Sequence, residues 1–411
     1  MAKRPSPRVL ASLFDAASHH GPAVPKELLL AWSASTREED VAHALLAEYK
    51  TLGTCILGDA SGLSKLSQTL PLVEVLSLLH RPKTMIASLG EKYGGVPVSS
   101  WTADNSGMWF DAAVHPKEVY TYAQNLLASF EHFPFQMSFA FHAGEFYRVG
   151  NALVGPMFHA LEEVAENQVP AGCLWATEAT IPFLGTQGSP MDSSTLSMRQ
   201  LPVAGTPEMT FAEAHAPYPH AFSSAFFSML DVYARSKDVE KDALRSSMEA
   251  DVRREGHILF FAYALPKQQS LAGVLNAQEL DTYLVSSVRM AKRSVGARLI
   301  KVGGGIGIVM AATLEGALAE AETLGVVFAE AEVAVAMGID RGEFFLFEQE
   351  DGDVDVAGSP VNIASKLSED CGKPGIVYVS EAAGSVMART TRPIHVSGIT
   401  IVAQEHALAR V

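Results

Sequence analysis

The stretch EDGDVDVAGSPVNIASKLSED, residues 350 to 370, decides how the rest of the chain is read. Within it Asp355, Gly358, Asn362, Ala364 and Lys366 hold the spacing D-x-x-G-x-x-V-N-x-A-x-K. Residues four apart share a helical face, so the run predicts a loop feeding a helix that aims Asn362 and Lys366 the same way. An N-capped surface helix would account for this stretch taken alone. Its meaning changes because an echo of it lies about two hundred residues earlier in the chain.

GEFY at 144 to 147 returns as GEFF at 342 to 345, and GCLWATEA at 172 to 179 returns as GIVYVSEA at 375 to 382. The offsets, 198 and 203, nearly agree, and the difference falls in the longer acidic loop EQEDGDVDV. The order of elements around these anchors also repeats. In the first half the apolar run TCILGDASG leads to an amphipathic helix in LSKLSQTLPLVEVLSLLH and a hairpin in VSSWTADNSGMWFDA. There follow a helix in HPKEVYTYAQNLLASFEHF, a strand in FQMSFAFHAGEFYRV, a helix in GPMFHALEEVAEN and the strand GCLWATEA. HILFFAYAL, NAQELDTYLVSSVRMAKRSV, RLIKVGGGIGIVMA, a helix over 314–323 and the strand AVAMGIDRGEFFLF replay that order. Strand and helical periods alternating in this way predict an α+β fold of two ferredoxin-like βαββαβ units, each a mixed sheet covered by helices.

The implied organisation is a helical extension over 1–48, one unit over 49–215, a linker over 216–254 and a second unit over 255–411. Helical spacing in PKELLLAW and EEDVAHALLAEY marks the extension. MTFAEA is expected to close the first unit as a strand. The charged run YARSKDVEKDALRSSMEADVRREG is expected to be one solvated linker helix.

With 31 Lys+Arg against 46 Asp+Glu, the net charge of −15 argues against nucleic acid or an anionic membrane as partner. Apolar residues make up 48% of the chain and charged residues 19%, which excludes long disorder. The start carries no apolar run of signal-peptide length. The longest apolar candidate, VGGGIGIVMAATLEGALAEAETLG, is interrupted by glycines, Glu315 and Glu320, so no transmembrane span is expected. Cys55, Cys173 and Cys371 are scattered and odd in number, which fits a reduced, cytoplasmic setting without a disulfide frame or a zinc site.

Two copies with these turns resemble the tandem catalytic domains of class III nucleotide cyclases, over roughly 50 to 215 and 255 to 411. In that family two homologous domains meet head to tail and build nucleotide sites at their interface, so the resemblance implies an intrachain pseudo-heterodimer of cyclase homology domains. The family's opening strand and turn, F-x-D-x-x-G-F, corresponds to Leu57 through Leu63, and its hairpin motif ends here on Asp104 and Phe110. The resemblance assigns Asp59 and Asp104 to divalent metal (Mg, Mn or Ca), and the turn Ala60, Ser61, Gly62 and Leu63 to phosphate. Arg148 and Lys373 are further phosphate candidates, with a surface role as the alternative. In the second copy the metal positions fall on Phe261 and Gly305, while Lys301 and Asp355 stand where the family reads adenine. The first copy has Ala152, His159 and Glu163 in place of the base-reading aspartate, the asparagine and the arginine. Each copy therefore lacks what the other keeps, which implies one composite site and one degenerate one.

Asp59 and Asp104 taken alone could be ordinary turn residues, and Asn362 a helix-start residue making local bonds. GGG at 303 to 305 is only a weak likeness to a diguanylate cyclase turn, and His142 and His159 read as packing histidines. The family orients the ribose with the residue at Asn362. Its transition-state arginine is Lys366 here, which offers one compact charge in place of a two-pronged fork. The expectation is an ATP-binding, adenylyl cyclase-like pseudoenzyme in cAMP signalling, acting through a signalling partner, with a homodimer as one arrangement open to it. The alternative is a slow adenylyl cyclase making cyclic AMP and pyrophosphate. A nucleotide-independent interaction module is the third possibility.

Overall fold

The computed structural model describes residues 24–62, 66, 69–99, 101, 104–191, 196–220, 222–348, 354–387, 390–396 and 399–409. Within these residues the chain forms two mixed sheets of eight strands each, built to one plan. In the first, β1 (Lys50–Ser61) lies between β3 (Ser106–Asp111) and β4 (Gln136–Val149), antiparallel to both. β4 then pairs in parallel with β6 (Leu174–Thr177) through the crossover helix Pro156–Asn167, and β6 pairs with Met198–Leu201. In the second sheet β9 (Arg253–Tyr263) lies between β11 (Ile306–Ala311) and β12 (Val335–Glu348). Here the crossover helix is Ser359–Glu369, leading to the parallel strand Ile376–Ser380.

The two crossover helices start by the same chemistry. Gly155 (φ +115°) precedes Pro156, and Gly358 (φ +152°) precedes Ser359 and Pro360. Proline suits the first turn because its missing N–H has no intrahelical partner there. A side chain at Gly358 would also meet the Phe344 backbone at 3.0 Å. These geometries hold Asn362 and Lys366 on one face of the second helix, as their spacing predicts.

Three expectations change. MTFAEA is not a strand: Phe211–Glu213 form a 3-10 turn in a capping box, Thr210 and Glu213 each satisfying the other's backbone N–H. The first sheet is closed instead by Met198–Leu201 and Ser189–Met191. The charged linker is two helices, Ser224–Arg235 and Asp238–Val252, because Ser236 and Lys237 between them are extended. The expected helix over 314–323 runs on through Glu330.

Strand register corrects one motif position. Gly53 pairs with Gly144 in the first sheet and Gly256 with Gly342 in the second, so Asp59 corresponds to Ala262 and not to Phe261. Alternate residues of a strand face opposite sides, and Phe261 points away from the crossover helix into the core with Phe328 and Leu284. Ala262 supplies no carboxylate either.

The repeat also extends beyond the sheets. The N-terminal helices Lys26–Ser33 and Glu39–Leu46 bury Leu28, Leu29 and Trp32 against Tyr147, Val149 and Val154 of the first copy and Leu271, Val274 and Leu275 of the second. Arg37 pairs with the buried Glu279 at 2.6 Å. The Glu39 carboxylate accepts Leu271 N and Ala272 N at 2.8 and 2.9 Å, satisfying the start of helix Leu271–Met290. The two linker helices pack in the related way, with Phe226, Leu230 and Tyr233 on Val73 and Leu76 of the first copy and Phe345 and Phe347 of the second. Among the described residues no helix is long and apolar enough to cross a membrane.

Candidate functional site

A cleft of about 1140 Å³ opens between the copies. Asp59 and Asp104 of the first copy line it, and so do Lys301, Asp355, Asn362 and Lys366 of the second. Six expected site residues from stretches up to about 300 positions apart thus share one cavity.

Asp59 ends the apolar part of β1, where the strand turns outward through Gly62 (φ +99°). Its carboxylate accepts from the amide of Ala60, yet burial and the charges of Asp104 and Glu166 push it up to about 7. Asp104 sits in the turn before β3, raised first by burial and drawn back down by Lys83 and Lys366. Glu166 also lines the cleft. Poor solvation within the walls, with Glu162 and Asp104, raises it to about 7. Carboxylates crowded in this way resist ionising together, and that charge is what a cation would neutralise.

On the other wall Lys301 comes from the strand Ala297–Gly303, beside an irregularity in its pairing with β11. Asp355 comes from the strand Val354–Ala357, opposite Phe347. Lys301 Nζ lies 3.1 Å from one carboxylate oxygen of Asp355 and 3.2 Å from the other. A donor and an acceptor are therefore held side by side, flanked by Phe260, Ile306 and Ile308. Asn362 and Lys366 lie one turn apart on the crossover helix, and the Lys366 charge is felt by Asp104 across the cleft.

The expected phosphate groups divide. Ala60 is buried, Ser61 half-buried and Gly62 exposed at the end of β1, next to Asp59 but not among the residues lining the cleft. Leu63 lies outside the described residues. Arg148 Nε donates to Gly150 O at 3.2 Å, and neither Arg148 nor Lys373 lines the cleft. His142 is buried against Thr177 at 2.7 Å, and burial pushes it down to about 4; His159 lies 3.1 Å from Glu162.

Sequence reading missed two groups. Lys83, on helix Leu72–Lys92, is 5% exposed and lines the cleft; its Nζ donates to Trp101 O at 3.1 Å, and burial pulls its ammonium down to about 7. The signal was a lysine on the apolar stripe that holds Leu76 and Leu79. The second group is the segment carrying Tyr218, His220 and Phe222, which lines the cleft from the linker side. Tyr218 stacks on Trp101 at 5.5 Å and meets His80 Nδ1 at 3.1 Å, while Phe222 packs on Phe347 at 4.8 Å. Its signal was the spacing of aromatics between prolines in HAPYPHAF.

Two hard carboxylate oxygen donors suit a divalent cation whose other ligands are water, backbone or phosphate oxygens. Among the described residues no three His, Cys, Asp or Glu side chains converge to hold a metal by themselves. The cleft therefore brings together two carboxylates that could share a cation and a donor–acceptor pair, Lys301 and Asp355, flanked by apolar side chains.

Two βαββαβ units of the same strand order thus face each other across one cleft. The chain's fold is similar to that of a class III adenylyl cyclase-like ATP-binding protein from Pseudomonas aeruginosa, at 12% identity and a TM-score of 0.48, over 93% of each chain. It is similar also to the guanylyl cyclase Cya2 (15% identity, TM-score 0.33, 39% of this chain and 94% of that one). For the adenylyl cyclase CyaB from P. aeruginosa the values are 14%, 0.29, 37% and 93%. No family model matches the chain, and no curated protein matches it.

Proposed function

We propose that the chain binds ATP with a divalent cation in the cleft between its copies, and that it turns ATP into cyclic AMP feebly or not at all. One observation carries the reading: the complementary remnants, two aspartates from one copy and Lys301, Asp355, Asn362 and Lys366 from the other, line the same cleft. Adenine presents an acceptor at N1 beside a donor at its 6-amino group, which the Lys301–Asp355 pair can meet. Guanine reverses that pattern and is disfavoured. Asn362 then has the ribose to hold. A divalent ion at Asp59 and Asp104 would be Mg, Mn or Ca and would neutralise the polyphosphate charge.

The weak-turnover part of the reading rests on Lys366. Charge grows on the α-phosphate oxygens as the ribose 3'-hydroxyl attacks. Losing a donor placed for such a transition state lowers the rate roughly 100- to 1000-fold, about 2.7 to 4 kcal/mol. Lysine keeps the charge and loses the fork, so the deficit here is smaller. ATP binding does not depend on that fork.

The test is calorimetric titration with ATP and GTP, with and without Mn or Mg, beside a cyclic AMP assay of the purified protein and its Lys366→Arg variant. Cation-dependent binding that prefers ATP is expected, with turnover low in the natural protein and raised in the variant. Turnover as fast as an ordinary cyclase would make the chain a true adenylyl cyclase. Absence of ATP binding would refute both enzyme-like readings and leave an interaction module.

A further inference from the structure

We propose that Lys83 is a polyphosphate-binding residue of the cleft, a cation supplied by the first copy that faces Lys366 of the second across the bound phosphates. The inference rests on the nucleotide reading above and adds a residue which that reading does not use.

Three observations carry it. The first is position: Lys83 is 5% exposed and lines the cleft, and its charge, like that of Lys366, draws the Asp104 carboxyl back down. A chain of phosphates drawn to a cation at Asp59 and Asp104 would pass between these two ammonium groups. The second is charge. Seven carboxylates and five lysine or arginine side chains line the cleft, and neither Arg148 nor Lys373 is among the five. A polyanion entering so acidic a space needs fixed positive charge as well as a metal.

The third observation is an internal control. Burying a lysine in poorly solvated surroundings is unfavourable, so the fold alone gives no reason to keep one. The second copy shows what the fold accepts instead. There the corresponding helix sends Asp281 to its own hairpin turn, where the carboxylate takes Gly304 N at 2.9 Å and the Tyr263 hydroxyl at 2.5 Å. Where the second copy keeps an anion satisfied by its own backbone, the first keeps a cation beside the metal aspartates. Trp101 O holds the ammonium at 3.1 Å, and the Tyr218 ring lies 5.7 Å from it, so the group is fixed before any ligand arrives. Preorganised charge loses less entropy on binding than a surface lysine would.

Lys83→Met keeps most of the stem and removes the charge. Calorimetry in the presence of Mn should show ATP and inorganic tripolyphosphate each weakened about 10- to 100-fold, the range for a lost charged hydrogen bond. Affinity for AMP and adenosine should move less than about twofold on the same grounds, and the melting temperature without ligand should hold or rise. If ATP, AMP and adenosine weaken together, Lys83 is structural and the proposal is overturned; no loss for tripolyphosphate also overturns it. Lys83→Gln gives a second chance to read the phosphate ladder if the Met variant does not fold. A natural protein that binds tripolyphosphate but no nucleotide, with that binding lost in the variant, would uphold Lys83 while refuting the ATP reading. Normal ATP binding in both proteins would do the reverse.

Discussion

The composite cleft and the position related to it by the duplication have the same backbone but opposite fates. In the cleft Asp59 and Asp104 face Lys301, Asp355, Asn362 and Lys366, and the neighbouring apolar wall of Val73, Leu76, Phe345 and Phe347 is covered by Phe226, Leu230 and Tyr233 of the linker. At the related position Ala262 and Gly305 match Asp59 and Asp104, and Ala152, His159 and Glu163 match Asp355, Asn362 and Lys366. There the equivalent wall is covered by Leu28, Leu29 and Trp32 of the N-terminal helices. Both sides thus carry a covering helix, and what differs is the charged lining: two aspartates opposite Lys301, Asp355 and Lys366 on one side, Ala262, Gly305 and Ala152 among the matching positions on the other.

The largest effect should come from breaking the packed side. Trp32 is fully buried, and Trp32→Ala is expected to cost about 3 to 5 kcal/mol of stability, read by denaturant unfolding. ATP affinity below the new melting temperature should stay as it was. Intact stability with lost ATP binding would mean that the two sides are not independent.

Next is the metal half. Asp59→Asn should remove Mn-dependent ATP binding by at least about 100-fold, since a buried carboxylate shared with a cation has no neutral substitute. Undiminished binding would move the cation site elsewhere. Asp355→Ala should weaken ATP about 10- to 100-fold, leave Lys301 without its acceptor, and erase the preference over GTP. A variant that still prefers ATP would take the base away from this pair.

The smallest expected effect is one of pH. Asp59 and Glu166 titrate near 7 in the folded chain, above their ordinary values of 3.8 and 4.5. A folded pKa raised above the unfolded one means the native state binds more protons between roughly pH 4 and 7, so these groups destabilise the metal-free protein as pH rises through that window. A divalent cation takes the place of those protons. The Mn-induced rise in melting temperature should therefore grow from pH 5 to pH 8, and a rise independent of pH would refute the placement of the cation among these carboxylates.

Much of this was legible before any coordinates. The duplication and the strand and helix order were written in spacing, which local periodicity carries faithfully, and the complementary motifs were implied by the resemblance to class III cyclases. Errors arose where spacing is ambiguous by one residue. Phe261 and Ala262 are adjacent in the sequence, and only the pairing of Gly256 with Gly342 tells which of them faces the crossover helix. MTFAEA has a strand's composition, yet Thr210 and Glu213 close it into a turn.

By itself, then, the sequence determined two βαββαβ copies, because amphipathic periods and turn residues act within a few positions of one another, while the half-site expected in each was what the resemblance to class III cyclases implied. Only the tertiary structure decided that the halves meet, that Lys83 and Tyr218 join them, and that the N-terminal helices cover the other side. Those contacts join residues far apart in the chain, such as Arg37 and Glu279, and are selected by complementary surfaces and buried charge that no local pattern records.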